Sequence, residues 1–204
     1  LHYAYPSKFP LEILDVMRQR ENICNYLDMP LQHASDRMLT AMKRQITRRE
    51  MEELTAAIRA TVPGICLRTT LIAGFPGETR DDVEELKEFI TQQRFDRVGI
   101  FTYSHEEGTS GFLLADDVPQ EEKEARAQEV MDVQQEISLE LNQEKVGKTF
   151  KTIIDKKEAG RYLGRTEFDS VEVDNEVVIK AKNLPIGEFV NVKITKAYDY
   201  DLEG

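Results

Sequence analysis

Cysteine is scarce in this chain of 204 residues: Cys24 and Cys66 stand alone, without paired spacing. That excludes a disulfide framework, and neither residue belongs to a metal-type cluster; each reads as a small buried apolar side chain. Long apolar runs are also missing. The longest fall far short of a membrane span, and the opening residues do not read as a secretory segment. A cytoplasmic protein without a membrane contact is expected. The sequence opens at Leu1 with no initiator methionine, which suggests a fragment, a processed form or a partial chain. Internal repeats and low-complexity segments are absent, and nothing requires a dimer, so a monomer is expected.

Positive charge is in deficit, with a net charge of −11. Such a surface repels nucleic acid unless a basic patch is segregated. Residues 143–204 carry eleven basic against twelve acidic side chains, and the first 142 carry sixteen against twenty-six. Two units with different electrostatic tasks are implied.

What is present begins with strand–helix alternation. His2 to Tyr5 reads as a strand stopped by Pro6, Leu11 to Arg20 as a helix, and Ile23 to Met29 as a strand ended by Pro30. Ser35 caps a helix through about Arg44, and a longer one runs from Arg48 to Thr61. Ile65 to Ala73 is a strand that breaks into Gly-Phe-Pro-Gly. Thr79 caps a helix to about Gln93, with Asp81 and Asp82 complementing its first turn. Arg97 to Thr102 is a fourth strand. This order implies parallel strands with helical crossovers, too few for a closed eight-fold barrel, so an open or partial barrel is expected. Pro119 to about Lys145 reads as one long helix with an apolar stripe at Ala127, Val130, Ile137 and Leu141 and an acidic, solvated remainder. Beyond Gly147, five short strands suggest a small antiparallel barrel or sandwich. The units expected are 1–118, the helix 119–142, and 143–204.

In parallel α/β architectures ligands gather at the carboxyl ends of strands. Three exits stand out: Leu27 to His33, the stretch Leu67 to Thr79, and Phe101 to Thr109. All three are expected to open on one face. Gly74, Pro76 and Gly77 make a stiff shelf that backbone-level contacts can use, and the helix start near Thr79 favours an anionic group there. Arg68 needs a carboxylate or phosphate partner if it points inward. Gln32 and His33 offer neutral hydrogen bonding, while Glu106 and Glu107 offer carboxylates at the rim. The plainer alternatives are a simple strand–helix turn, a structural histidine, an arginine paired with a neighbouring carboxylate, and solvated acidic residues.

Taken together, YLDMPLQHASDRMLTAMKR, LRTTLIAGFPGET and FTYSHEEGT resemble the radical-SAM methylthiotransferases, and the tail from about Leu141 resembles their TRAM domain. LDMPLQH, LRTT and SHEEGT look more like the branch that modifies a ribosomal protein than the tRNA branch. The resemblance implies residues 1–118 as part of a radical-SAM (βα)6 open barrel, a linker helix, and a small OB-like TRAM barrel. It implies two 4Fe–4S clusters and S-adenosylmethionine as cofactors. It also implies transfer of a methylthio group to the β-carbon of an aspartate in the twelfth small-subunit ribosomal protein. By the same resemblance Gln32 lies near the ribose, Arg68 near the amino-acid carboxylate, and the backbone of Gly74–Gly77 against adenine. His33, Ile72, Phe75, Pro76, Glu78 and Tyr103 complete the expected cofactor site. The family's GxIxGxxE pattern is met at Ile72 and Gly74, with Thr70 in place of the first glycine and Glu78 one position late. The cluster motif CxxxCxxC is not in this sequence, so the segment alone is expected to bind no cluster and to be inactive. The alternatives are a tRNA-modifying enzyme of the same family and a non-catalytic RNA- or ribosome-binding module. The basic residues Lys145, Lys148, Lys151, Lys156, Lys157, Arg161 and Arg165 form either an RNA-binding patch or a solvated face.

Overall fold

The computed structural model describes residues 1–171 and 173–204. Three parallel strands, β1 (Tyr26–Asp28), β2 (Cys66–Ala73) and β3 (Arg97–Thr102), pair in the order β1-β2-β3. Helices α1 (Glu12–Gln19), α2 (Asp36–Ala41), α3 (Arg48–Thr61) and α4 (Arg80–Gln93) supply the crossovers. β2 alternates strictly. Leu67, Thr69, Leu71 and Ala73 are buried, whereas Arg68, Thr70 and Ile72 are half-buried on the other face. The buried face joins Leu27, Leu86, Phe89 and Phe95 in the main core. The period of two thus leaves one face of the curled sheet to carry function.

Helices α3 and α4 begin where the sequence places them because each opens on a reciprocal capping box, Thr47 with Glu50 and Thr79 with Asp82. The expected strand at His2 to Tyr5 is not one. Leu1 N donates to Tyr26 O and Asp28 N donates to Leu1 O, but Tyr3 turns to a φ of 55°, and the ladder resumes only at Ala4. Ser35 precedes α2 as expected, yet its hydroxyl makes no cap; it donates to Asp82 at 2.6 Å.

The long helix α5 (Gln120–Gln143) crosses the back of the sheet and packs on α4, β2 and β3. Its buried stripe is more polar than the sequence suggests, because Lys123, Arg126, Gln134, Ser138 and Asn142 share it with Val130 and Ile137. The remainder is a second sheet of six strands rather than five: β4 (Thr149–Glu158), β5 (Arg161–Arg165), β6 (Val177–Ile179), β7 (Phe189–Lys193), β8 (Lys196–Ala197) and β9 (Leu202–Glu203), ordered β7-β4-β5-β6-β9-β8. All its pairings are antiparallel except β6–β9, which is parallel and corrects the purely antiparallel expectation. Ile154, Tyr162, Val177 and Ile194 form its own core. Its β5–β6 connection reaches back to the first sheet, where Asp169 pairs with Arg97 at 2.7 Å and the Cys66 thiol donates to Phe168 O at 3.3 Å. Among the described residues no helix is long and apolar enough to cross a membrane.

Candidate functional site

The three strand exits do converge. A groove of about 590 Å³ opens at the carboxyl ends of β1–β3, lined by Gln32, Thr70, Ile72, Phe75, Phe101 and Tyr103, with Arg44, Met42 and the 104–111 loop at its rim. Its size lies within the range usual for small-molecule sites. Register explains the grouping: Thr70 pairs with Gly99 and Ile72 with Phe101, so these side chains stand on one face. Gln32 sits at φ 76°, a region disfavoured for any residue with a Cβ. It is held there because Gln32 N donates to Thr70 O at 2.9 Å and Ile72 N donates to Gln32 O at 2.8 Å. Strain pinned on both sides in this way is characteristic of functional positions.

The glycine shelf is rigid for reasons that reach across the fold. The Gly74 amide donates to the buried Glu78 carboxylate at 2.9 Å, and that carboxylate also takes Arg126 Nη1 of α5 at 3.0 Å and His33 Nε2 at 3.3 Å. Since His33 Nδ1 accepts from the amides of Ala34 and Ser35, the ring is the neutral Nε2–H tautomer and donates to Glu78. Lys123 lies directly over Gly74, and its ammonium pairs with Asp116 at 2.7 Å and stands 5.0 Å from the Tyr103 ring centroid. Phe75 meets Tyr103 edge-on, with centroids 5.0 Å apart. Burial, with help from Asp116 and Glu106, raises the Tyr103 phenol above its ordinary pKa.

Each expected residue has a definite place. Gln32, Ile72, Phe75 and Tyr103 line the groove. Gly74, Pro76, Gly77, Glu78 and His33 build the shelf behind it. Arg68 is on the same strand face but lies deeper, where it pairs with Asp28 at 3.0 Å and Asp174 at 3.3 Å. The α4 N-terminus is not open to an external anion. Asp82 and Thr79 fill its amides, and the Gly77 amide donates to Asp117 at 2.7 Å. Phe101, 60% exposed within a strand, was named only as the start of an exit, and Arg44 was not singled out from the sequence. Period-two alternation would have found Phe101; no local pattern marks Arg44.

The chain matches the family model "Radical SAM superfamily" over residues 4–90 and "TRAM domain" over residues 146–204. Its relatives include sequences named ribosomal protein uS12 methylthiotransferase RimO. That from Flavobacterium psychrophilum is 55% identical over 100% of this chain and 48% of its own length. That from Cytophaga hutchinsonii is 55% identical over 100% of this chain and 47% of its own length. Over its whole length the chain is similar to these RimO sequences, and its first part to the radical-SAM superfamily. The chain spans about half the length of the curated relatives it matches. The Escherichia coli coproporphyrinogen III oxidase HemN, described as a radical SAM enzyme, superposes with a TM-score of 0.52 at 20% identity, over 65% of this chain and 31% of its own, which speaks to fold alone. The radical-SAM match takes in the Gln32 turn and the Gly74–Glu78 shelf, and the TRAM match takes in the second sheet.

Among the described residues, no three His, Cys, Asp or Glu side chains stand in metal-holding geometry. Cys66 is buried, which raises its thiol well above the ordinary range, and Cys24 is exposed. Three of the seven early basic residues pair with carboxylates of the second sheet. Arg165 pairs with Asp155 at 2.7 Å, Lys156 with Glu158 at 3.4 Å and Glu176 at 3.5 Å, and Arg161 with Glu203 at 3.9 Å.

Proposed function

We propose that this segment is the cofactor-bearing and TRAM portion of a radical-SAM methylthiotransferase that modifies the ribosomal protein uS12 in the cytoplasm. The units are residues 1–118, the helix 119–142 and the TRAM domain 143–204. The observation that carries the reading is the groove: a chain of RimO ancestry brings Gln32, Ile72, Phe75 and Tyr103 together at the carboxyl ends of parallel strands.

S-adenosylmethionine fits the residues present. Ile72, Phe75 and Phe101 offer an apolar slab for a purine, and Gln32 and Thr70 offer polar groups beside it. A 4Fe–4S cluster does not fit them, since iron clusters need several thiolates and the two cysteines lie apart. Two clusters held by residues elsewhere in the complete protein are part of the proposal. When bound, S-adenosylmethionine supplies the radical and the methyl group. This chain's residues bind it: Gln32 by hydrogen bonding, Phe75 and Tyr103 by packing, and the Gly74–Glu78 shelf by holding the floor in place.

The electrostatics favour a basic protein over tRNA. The first 142 residues carry twenty-six acidic against sixteen basic side chains, and Arg161, Arg165 and Lys156 of the TRAM sheet are taken by its own carboxylates. The TRAM domain can add an RNA contact on the ribosome through Lys148 and Lys151, which are exposed. The test offers uS12 and tRNA together to the complete protein, anaerobically, with S-adenosylmethionine, a reductant and a sulfur source. A gain of a methylthio group on an aspartate-containing uS12 peptide is expected in the mass spectrum. Gain on a tRNA nucleoside would overturn the substrate assignment.

A further inference from the structure

Between Val98 and Glu122 the chain carries Glu106, Glu107, Asp116, Asp117, Glu121 and Glu122 and no lysine or arginine. The same stretch exposes Phe101, Phe112, Leu113 and Leu114, with Leu113 at 85%. Phe101 and Gly111 line the groove at the carboxyl ends of β1–β3, so this apolar ridge is continuous with it. Single apolar side chains scattered over a surface need no explanation, but a run of them beside a ligand groove does.

The ridge is held in place although it is uncovered. Residues Gly111–Leu113 form one turn of 3-10 helix. A Cβ on Gly111 would come within 2.8 Å of the Tyr103 hydroxyl and 3.5 Å of Phe75 Cε2, so the turn sits directly on two rings of the groove. Phe112 lies against His105, with centroids 4.6 Å apart, and its amide donates to the Thr109 hydroxyl at 3.2 Å. Leu114 N donates to Gly111 O at 3.0 Å. A backbone ordered in advance lowers the cost of binding to it. The surrounding charge is of one sign and partly uncommitted. Asp116 is taken by Lys123 and Asp117 by the Gly77 amide. Glu106 accepts from the neighbouring Ser104 hydroxyl, and Glu107 has no basic side chain within ion-pairing distance among the described residues; both are exposed.

We propose that the Phe112–Leu114 ridge, with Glu106 and Glu107 beside it, docks the protein substrate: a basic polypeptide that lays an apolar side chain over Leu113 and sets lysine or arginine against the two carboxylates. The proposal rests on the reading of this segment as part of a protein-modifying enzyme, and adds where that protein is gripped. An apolar centre with a charged rim is the anatomy of a protein interface. The sign of the rim repels nucleic acid and attracts a basic chain. Because the turn rests on Tyr103 and Phe75, a segment docked there stands at the mouth of the groove.

The experiment uses the complete, cluster-reconstituted protein as wild type, Leu113→Ser and Glu107→Lys, with uS12 as the probe. Calorimetry gives Kd for uS12 and for S-adenosylmethionine, and thermal unfolding guards the fold. Leu113→Ser is expected to raise the uS12 Kd about tenfold, as loss of a central apolar contact does, with S-adenosylmethionine affinity within about twofold and Tm unchanged. Glu107→Lys should weaken uS12 binding at least about threefold at low salt, and the difference should vanish near about 0.5 M salt, because exposed charges are screened. Unchanged uS12 affinity in both variants would overturn the docking surface, and would leave the substrate reading intact if the wild type still modifies uS12. A fall in Tm for Leu113→Ser with uS12 affinity unmoved would place another part of the complete protein on the ridge, and would overturn the proposal too. A wild type that neither binds nor modifies uS12 would overturn the substrate reading and the docking surface together.

Discussion

Gly74→Ala should be far more costly than Gly77→Ala, although both glycines have nearly the same backbone. Their φ angles are 77° and 78°. An alanine at either site carries the left-handed penalty, roughly 1–2 kcal/mol. The difference lies in the surroundings. A Cβ on Gly77 would meet only Arg37 Nη1, at 3.9 Å. A Cβ on Gly74 would come within 2.7 Å of Lys123 Cβ and 3.1 Å of its Cα, and closer still to its Cγ. Those atoms belong to α5, and Lys123 cannot swing aside while its ammonium is held by Asp116. Overpacking of this kind adds about 1–3 kcal/mol. Gly74→Ala should therefore cost about 2–5 kcal/mol and Gly77→Ala about 1–2 kcal/mol. Guanidinium unfolding followed by circular dichroism gives both values, provided the slopes are equal. Equal costs would refute the claim that α5 presses directly on the shelf.

Three further outcomes follow from buried charges and thiols. Burial pushes the Asp82 carboxyl up, but bonds from Ser35, Thr79 and Arg37 outweigh it and bring it down from 3.8 to about 2. Because the folded pKa is depressed, Asp82 should contribute about 2 kcal/mol above pH 4, lost as pH falls toward 2; Asp82→Asn should erase that slope in acid titrations of stability. Arg68→Ala leaves Asp28 and Asp174, with 2% and 3% side-chain exposure, without their cation, and should destabilise by about 3–5 kcal/mol. An unchanged Tm would contradict the network, and a large fall would mean that lost cofactor affinity in this variant is no evidence of direct contact. Iodoacetamide should label Cys24 in the native protein and spare Cys66 until denaturant is added; prompt labelling of both would place Cys66 at the surface.

Much of this was legible in the chain because local chemistry decides it. The starts of α3 and α4 rest on capping residues within one turn, and β2 and β3 rest on alternation bounded by Pro, Gly and polar breaks. What escaped depends on distant partners. Tyr3 breaks the pairing of the opening residues through its backbone conformation, which its β-favouring side chain conceals. Two-residue strands such as β8 and β9 exist only through their ladders. The stripe of α5 looked apolar at Val130 and Ile137, yet its first turns bury Lys123 and Arg126 because Asp116 and Glu78 await them. Arg68 read as a ligand contact because its two carboxylate partners, Asp28 and Asp174, come from separate parts of the chain. Arg44 carries no local signature at all; its place is set by Pro30 and Tyr5.

The central claim is that the groove at the carboxyl ends of β1–β3 holds the S-adenosyl cofactor. Photo-labelling the complete protein with an azido-adenine analogue of S-adenosylmethionine, followed by peptide mapping, tests it most directly. Label should fall on peptides containing Gln32, Ile72–Phe75 and Phe101–Gly111, and excess S-adenosylmethionine should suppress it. Label confined to the TRAM sheet, or to the opposite end of the strands around Arg68 and Arg97, would contradict the claim.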